Sequence, residues 1–370
     1  MSRYNSVRVY KKTGLSHLPS NPVRVSDHAQ NPEGSASEFH EPEYHESILL
    51  EEILESAAEV GPALIVDGTL GDGGHTLGFL RRFPGVRLVA CDRDPAMLER
   101  ARSRIAAAGH ADRAALVLSN FRDLPAWLAD RGLRPDFVLL DLGVSMFHFR
   151  GAGRGFSYGD EGALDMRLDE PGANRPTAAD LLNSAGQSEL QRIFQEYGEE
   201  RFAGRIARAI VEARPIRTAT QLADLIRSAV PRPAVTGRKS SYKGSGSGAG
   251  GGRGGQIHPA TRVFQALRIA VNDELGAAGA ALAPDGFPAS LAPGGRLAVL
   301  SFHSLEDRIV KRAFREIGVP AHQRRAAAAG FQILTRKPLP PSDAEIARNP
   351  ASRSAKLRVL ARSAEDKRVS

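Results

Sequence analysis

The sequence predicts an α/β fold, a sheet with helices on its faces that is interrupted by a helical insertion. Three observations predict this fold. A glycine-rich turn links a strand pattern to a helix pattern at 63–76, three predicted strands end in Asp67, Asp92 and Asp141, and helical periodicity replaces strand periodicity from about 177 to 230. Acids at strand ends are typical of folds that bind a nucleotide-like molecule at that edge of the sheet.

The first strand and its turn are the most informative segment. An apolar run ends at Asp67, and Gly71, Gly73 and Gly74 follow. Glycine is needed where the backbone takes positive φ or approaches a ligand closely, and the amides of a helix start then face what is bound. Thr76 stands where a dinucleotide fingerprint has its third glycine, which favours S-adenosylmethionine over nicotinamide or flavin. The alternative is that the glycines only shape a tight turn.

Periodicity predicts the other elements in order. A helix over 46–60 leads into the first strand. The predicted strands cover 63–67, 86–91, 115–118, 137–141 and 296–302, and helices cover 75–82 and 95–107. Asp92 ends the second strand, where a doubly wound fold hydrogen-bonds a ribose. The insertion is predicted to hold helices at 178–182, 188–197, 201–213 and 220–230.

Composition limits the class of protein. The 370 residues, 42% of them hydrophobic, allow about two domains. The net charge of +8 and pI near 9.9 favour an anionic partner, nucleic acid before a membrane. The single cysteine, Cys91, excludes an intrachain disulfide and a thiolate zinc cluster, which fits a reducing compartment. No apolar run approaches the 18 or so residues of a membrane span, and we expect a cytoplasmic protein.

Two segments are predicted to be disordered. Residues 1–39 form a tail whose first 26 residues are basic and free of acids; a bacterial tail is favoured, and a mitochondrial transit peptide is the alternative. Residues 236–255 contain nine glycines and four serines, which predicts a flexible loop. The stretch 225–272 has eight Lys or Arg and no acid, which favours RNA contact over a merely solvated charge run.

Nine sequence blocks carry a resemblance to a known family. They are Asp67-Gly-Thr-Leu-Gly-Asp-Gly-Gly-His-Thr76, Cys91-Asp-Arg-Asp-Pro95, Leu140-Asp-Leu-Gly-Val-Ser145, Arg154-Gly-Phe-Ser157, Leu164-Asp-Met-Arg167, Tyr197-Gly-Glu-Glu-Arg-Phe202, Ile257-His-Pro-Ala-Thr-Arg262, Phe264-Gln-Ala-Leu-Arg268 and Ser301-Phe-His-Ser-Leu-Glu-Asp-Arg308. Over roughly 40–362 the chain resembles the methyltransferase H family of small-subunit ribosomal RNA, the cytosine-N4 methyltransferases of bacterial 16S ribosomal RNA.

The resemblance implies a class I S-adenosylmethionine-dependent methyltransferase fold and methylation of a cytidine N4 in the decoding region of the small ribosomal subunit. It implies a cofactor-binding core at 40–148 and 260–370 and an insertion for substrate RNA at 149–259. The cofactor contacts of the family fall on Gly73, Gly74, His75, Asp92, Phe121, Asp141 and His148. His148 stands where the family commonly has glutamine, so that contact and the local loop shape depart from the pattern.

Several of these residues have a plainer alternative. Phe121 is placed to pack on an adenine or to fill the core, and His75 could be a neighbour of a helix cap. Amino-methyltransferases of DNA carry an amine acceptor at the end of the fourth strand, and Asp141 occupies that place. Asp141 is therefore the candidate catalytic residue, and binding of the cofactor's methionine part is its alternative role.

No metal site is predicted. His258, His303, Glu306 and Asp307 match no recognised ligand spacing, and residues 303–308 are expected to order the loop after the last predicted strand. Arg154, Arg167 and Arg201 are predicted either to contact RNA phosphates or to pair with the acids Asp165, Glu199 and Glu200.

Two other functions compete with the methyltransferase. A nicotinamide-dependent oxidoreductase would use the same crevice, but the glycine fingerprint is incomplete and the loop is basic. A ribosome-assembly protein with a vestigial cofactor site is disfavoured because every pocket position except the glutamine is intact.

Overall fold

The computed structural model of the chain describes residues 46–143, 153–169, 175–231, 260–320 and 330–364. The predicted tail at 1–39, the Gly/Ser-rich loop at 236–255, and the side chains of His148 and His258 lie outside the described residues.

Eight strands form one sheet in the order β3-β2-β1-β4-β5-β8-β7-β6. Their bounds are β1 Leu64–Asp67, β2 Arg87–Asp92, β3 Ala114–Leu118, β4 Phe137–Asp141, β5 Arg296–Ser301, β6 Val319–Pro320, β7 Phe331–Ile333 and β8 Lys356–Arg362. The first five strands pair in parallel, and β8 runs antiparallel to β5 and β7. This Rossmann-like sheet with helices confirms the predicted fold class.

Thirteen α-helices accompany the sheet in the described part of the chain. They are α1 Leu50–Ala58, α2 Gly74–Arg82, α3 Pro95–Ala107, α4 Leu124–Ala129, α5 Ala178–Ser184, α6 Gln187–Glu196, α7 Ala203–Glu212, α8 Ala219–Ala229, α9 Ala260–Asn272, α10 Glu274–Ala281, α11 Phe287–Ser290, α12 Ser304–Ile317 and α13 Asp343–Arg348. Across the described residues, every helix is too short or too polar to span a bilayer.

The central strands are apolar because both of their faces are covered. Side chains of a strand alternate between the two faces, so Ile65 joins one buried cluster and Val66 joins another on the opposite side of the sheet. Leu139 and Val138 of β4 divide in the same way. Continuous apolar runs are typical of parallel strands covered on both faces, and this is why the strand ends stand out as polar positions.

The helices of the insertion pack in a hydrophobic core separate from the two clusters of the sheet. Helices α5 to α8 bury one face each in a third cluster, which also takes in Phe156 and Leu164. Helix α9 packs in the same cluster through Val263, Phe264 and Leu267, so this core includes residues after the predicted boundary at 259. The division into domains stays a prediction.

Candidate functional site

The glycine turn after β1 is held by the acid that ends the strand. Asp67 is buried, and its Oδ2 accepts a 2.8 Å hydrogen bond from the Thr76 hydroxyl while Oδ1 accepts from the Thr69 N–H at 3.1 Å. Gly71 and Gly73 have φ of +53° and +84°, a conformation that side chains with a Cβ rarely adopt. The turn therefore depends on both the acid and the glycines.

Asp92, at the end of β2, lies beside this turn. Its Oδ2 accepts the Gly71 N–H at 2.9 Å, and its Oδ1 accepts the Asp94 N–H at 2.9 Å. The preceding residue, Cys91, is buried and donates its thiol to the Gly68 carbonyl at 3.1 Å. Half-buried Asp92 thus presents a carboxylate, fixed by two backbone amides, at the carboxyl edge of the sheet.

Asp141, at the end of β4, contacts the turn from the other side. Its N–H donates to the Thr69 Oγ1 at 2.6 Å, and its Oδ1 accepts the Gly143 N–H at 3.1 Å. Burial raises the pKa of Asp141, although the charge of His75 and the hydrogen bond from Gly143 act in the opposite direction. The carboxyl group is consequently a stronger proton acceptor than an exposed aspartate.

His75 lies near the two acids that end β1 and β4. Its Nε2 is 3.0 Å from the Ile48 carbonyl oxygen, which can only accept, so Nε2 carries a proton. Its Nδ1 is 3.8 Å from Asp141 Oδ2. Burial also raises the pKa of Asp67, against the charge of His75. His75 is therefore more than a neighbour of the helix cap, since it faces the carboxyl group of Asp141.

Phe121 begins a short 3-10 turn after β3. It is half-buried and packs on the cluster that contains Val66 and Val89, which agrees in part with its alternative role in the core. A Cβ placed on Gly68 would lie 3.5 Å from the Phe121 Cβ, so Phe121 is close to the glycine turn.

The predicted cofactor residues that the structure describes gather at one edge of the sheet: Gly73, Gly74, His75, Asp92, Phe121 and Asp141. Gly74 also has a packing reason to be glycine, because a Cβ there would lie 2.2 Å from the Ser47 hydroxyl. Sequence reasoning missed Thr69, whose hydroxyl joins the turn to Asp141. No sequence pattern marks that long-range contact.

Residues 303–308, which the sequence predicts to order the loop after the last predicted strand, form the cap and first turn of a helix. His303 caps α12, its Nδ1 accepting the Glu306 N–H at 3.4 Å, and Glu306 accepts the N–H of Phe302 at 2.7 Å. Ligand atoms of Glu274, His303 and Glu306 lie within 4.8 Å of one another. Arg268 donates to both oxygens of Glu274 at 2.9 and 3.0 Å, so a guanidinium already neutralises that carboxylate.

The three candidate arginines differ in their contacts. Arg167 pairs with Asp165 through two hydrogen bonds of 2.6 and 2.7 Å. Arg154 instead pairs at 2.6 Å with Asp94, an acid that the sequence analysis did not consider as its partner. Arg201 is exposed and its guanidinium lies 4.5 Å over the Phe202 ring. Asp94 could have been anticipated as a helix cap from its place before Pro95.

Comparison with known proteins matches most of the chain to one family. Residues 43–363 match the MraW methylase family. The chain is 47% identical over 330 residues to the ribosomal RNA small subunit methyltransferase H of Synechococcus sp. strain JA-2-3B'a(2-13), covering 87% of this chain and 92% of that protein. It is 44% identical over 348 residues to the protein of the same name from Thermobifida fusca, covering 90% and 96%.

Proposed function

The chain belongs to the MraW methylase family, and from that premise we propose that it methylates the exocyclic N4 of a cytidine in the decoding region of 16S ribosomal RNA. The methyl donor is S-adenosylmethionine and the partner is the RNA of the small ribosomal subunit. One observation carries this proposal: Asp92 and Asp141, from two different strand ends, are each hydrogen-bonded to the same glycine turn.

The residues at this edge fit the cofactor's chemistry. The Asp92 carboxylate has lone pairs beyond those used by the two amides and can accept from ribose hydroxyls. Phe121 offers an aromatic surface for the adenine. When bound, S-adenosylmethionine supplies an electrophilic methyl group on a positively charged sulfur. Gly73, Gly74 and His75 would contact the remainder of the cofactor.

Asp141 is proposed to act on the amine. The nitrogen lone pair of an exocyclic amine is delocalised into the ring, so the residues must hold the nitrogen in line with the methyl group; such positioning contributes about 7–11 kcal/mol in favourable cases. As the nitrogen–carbon bond forms and the carbon–sulfur bond breaks, the nitrogen becomes positively charged. The Asp141 carboxylate stabilises that charge and accepts the proton that the nitrogen releases.

Methyl transfer from labelled S-adenosylmethionine tests the proposal. The acceptor is small ribosomal subunits from a strain lacking the gene for this protein, and the modified nucleotide is mapped after digestion. We expect label on the N4 of one cytidine. Label on another atom would contradict the assignment, and tight binding of the subunits without any transfer would favour the assembly-protein alternative.

A further inference from the structure

Helix α7 presents two arginines on the side opposite its buried face. Arg205 and Arg208 are exposed and lie three positions apart, hence on one side of the helix. Arg201, also exposed, comes four residues before Arg205. The buried side consists of Ala203, Ile206, Ala207 and Ile210. We call Arg201, Arg205 and Arg208 the arginine stripe.

The stripe differs from the exposed arginines of the neighbouring helices α6 and α8. Arg192 on α6 and Arg227 on α8 each pair with an acid on their own helix, at 2.8 and 2.6 Å. Arg205 and Arg208 form no ion pair with any residue that the structure describes. Like charges three positions apart disfavour a helix by a few tenths of a kcal/mol. Among the described residues, α7 therefore carries two arginines without an ion pair, whereas the arginines of α6 and α8 are paired.

A chain of contacts connects the stripe to the candidate site. Glu199, two residues before Arg201, accepts the Ser304 hydroxyl at 2.9 Å and the Arg308 guanidinium at 3.1 Å. Ser304 opens α12 directly after β5, and β5 pairs with the strand that ends at Asp141. Arg201 therefore lies two residues from a contact with the helix that follows β5.

We propose that the arginine stripe binds successive phosphates of the ribosomal RNA strand that reaches the candidate site, an inference that rests on the proposed function. A guanidinium matches a phosphate with two parallel hydrogen bonds, and Arg205 and Arg208 lie about 4.5 Å apart along the helix axis at 1.5 Å per residue. Arg201 lies in the turn just before the helix. Glu212 is exposed one turn after Arg208, on the same side of the helix. Its negative charge would repel a phosphate beyond Arg208.

The test measures how binding depends on salt. Arg205→Gln/Arg208→Gln removes two charges and keeps good helix formers. Each lost phosphate contact on a single strand should lower the slope of log K against log salt by about 0.7, so we expect a loss of about 1.4 and about 25-fold weaker binding at 0.1 M salt. The probes are small subunits lacking the methyl group and protein-free 16S ribosomal RNA. S-adenosylmethionine affinity and melting temperature should not change.

Two matched variants control for charge and for position. Arg192→Gln/Arg227→Gln removes two exposed arginines that already have acidic partners, and its salt slope should equal that of the wild type. Arg205→Lys/Arg208→Lys keeps the charge and should keep most of the slope.

If Arg205→Gln/Arg208→Gln keeps the wild-type slope of log K against log salt, the proposal that the arginine stripe binds phosphates is wrong. Weaker binding to subunits with unchanged binding to protein-free RNA would also overturn it, because the partner would then be a ribosomal protein. If the wild-type chain binds neither probe and transfers no methyl group, the proposed function fails, and the stripe proposal fails with it.

Discussion

Arg154 Nη2 donates a 2.6 Å hydrogen bond to Asp94 Oδ2 and so joins the segment after β4 to the strand end that carries Asp92. Asp94 is 2% exposed and also caps α3 by accepting the Ala96 N–H at 2.9 Å. One buried carboxylate therefore fixes both the start of α3 and the segment that leads into the insertion. The cofactor edge of the sheet and the insertion share this ion pair.

Replacing Arg154 with Met should destabilise the fold strongly, because it removes the guanidinium that pairs with the buried Asp94 carboxylate. Breaking a buried ion pair costs about 3–5 kcal/mol. Urea unfolding measures the change. Arg227→Met, at an exposed pair, should cost less than about 1 kcal/mol. Arg154→Met/Asp94→Asn should recover part of the loss; equal stability of Arg154→Met and wild type would show that the pair contributes little.

Asp92→Ala should weaken S-adenosylmethionine binding about 10- to 150-fold, because a hydrogen bond to a charged group contributes about 1.5–3 kcal/mol. The variant also frees the Gly71 N–H, which adds disorder to the turn. Titration calorimetry measures the dissociation constant. Asp112→Ala changes an exposed acid away from the candidate site and should leave the dissociation constant unchanged. An unaltered constant in Asp92→Ala would exclude the ribose assignment.

Asp141→Asn separates the two roles of this residue. Asn keeps an oxygen acceptor and the shape but removes the charge that offsets positive charge on the attacked nitrogen. We expect a lower single-turnover rate that saturating S-adenosylmethionine does not restore, together with some loss of cofactor affinity. Full recovery of the rate at saturating cofactor would leave Asp141 with a binding role only.

The single-turnover rate should fall at acid pH, since only the ionised Asp141 carboxylate can accept the amine proton. Burial raises the pKa of Asp141, so the rate should reach its plateau above that raised pKa and fall about tenfold per pH unit below it. The midpoint should lie above the ordinary aspartate value of about 3.9. Rates measured at saturating cofactor and RNA test this. Asp141→Asn should lose this acid limb; the same limb in the variant would assign it to another group.

The sequence was sufficient to predict strands β1 to β5, but not β8, which pairs with β5 on the side away from β4. Strands β1 to β5 read as apolar runs because both faces of the sheet are covered. β8 also lies beside β5 but contains Arg358, which is 6% exposed and donates to Asp307 of α12 at 2.7 Å. A buried arginine breaks the apolar pattern, and its partner lies 51 residues away. Only the folded chain reveals that this charge is compensated.

The acids of the candidate site were predictable for a similar reason, and their partners were not. Asp67, Asp92 and Asp141 mark strand ends, a position that local sequence shows. Arg154 pairs with Asp94 across 60 residues, and Asp141 contacts Thr69 across 72. Such contacts depend on which strands lie next to each other, and periodicity does not report strand order.

The buried thiol of Cys91 has a practical consequence. Burial is the largest influence that raises the pKa of this thiol, and neighbouring acids add to the effect, so little thiolate is present for reagents to attack. Because the chain has no other cysteine, thiol reagents should label the native protein only when β2 opens. The rate at which the reagent labels Cys91 then reports how often the central sheet opens. A cysteine introduced on an exposed helix would carry a spectroscopic probe with almost no background.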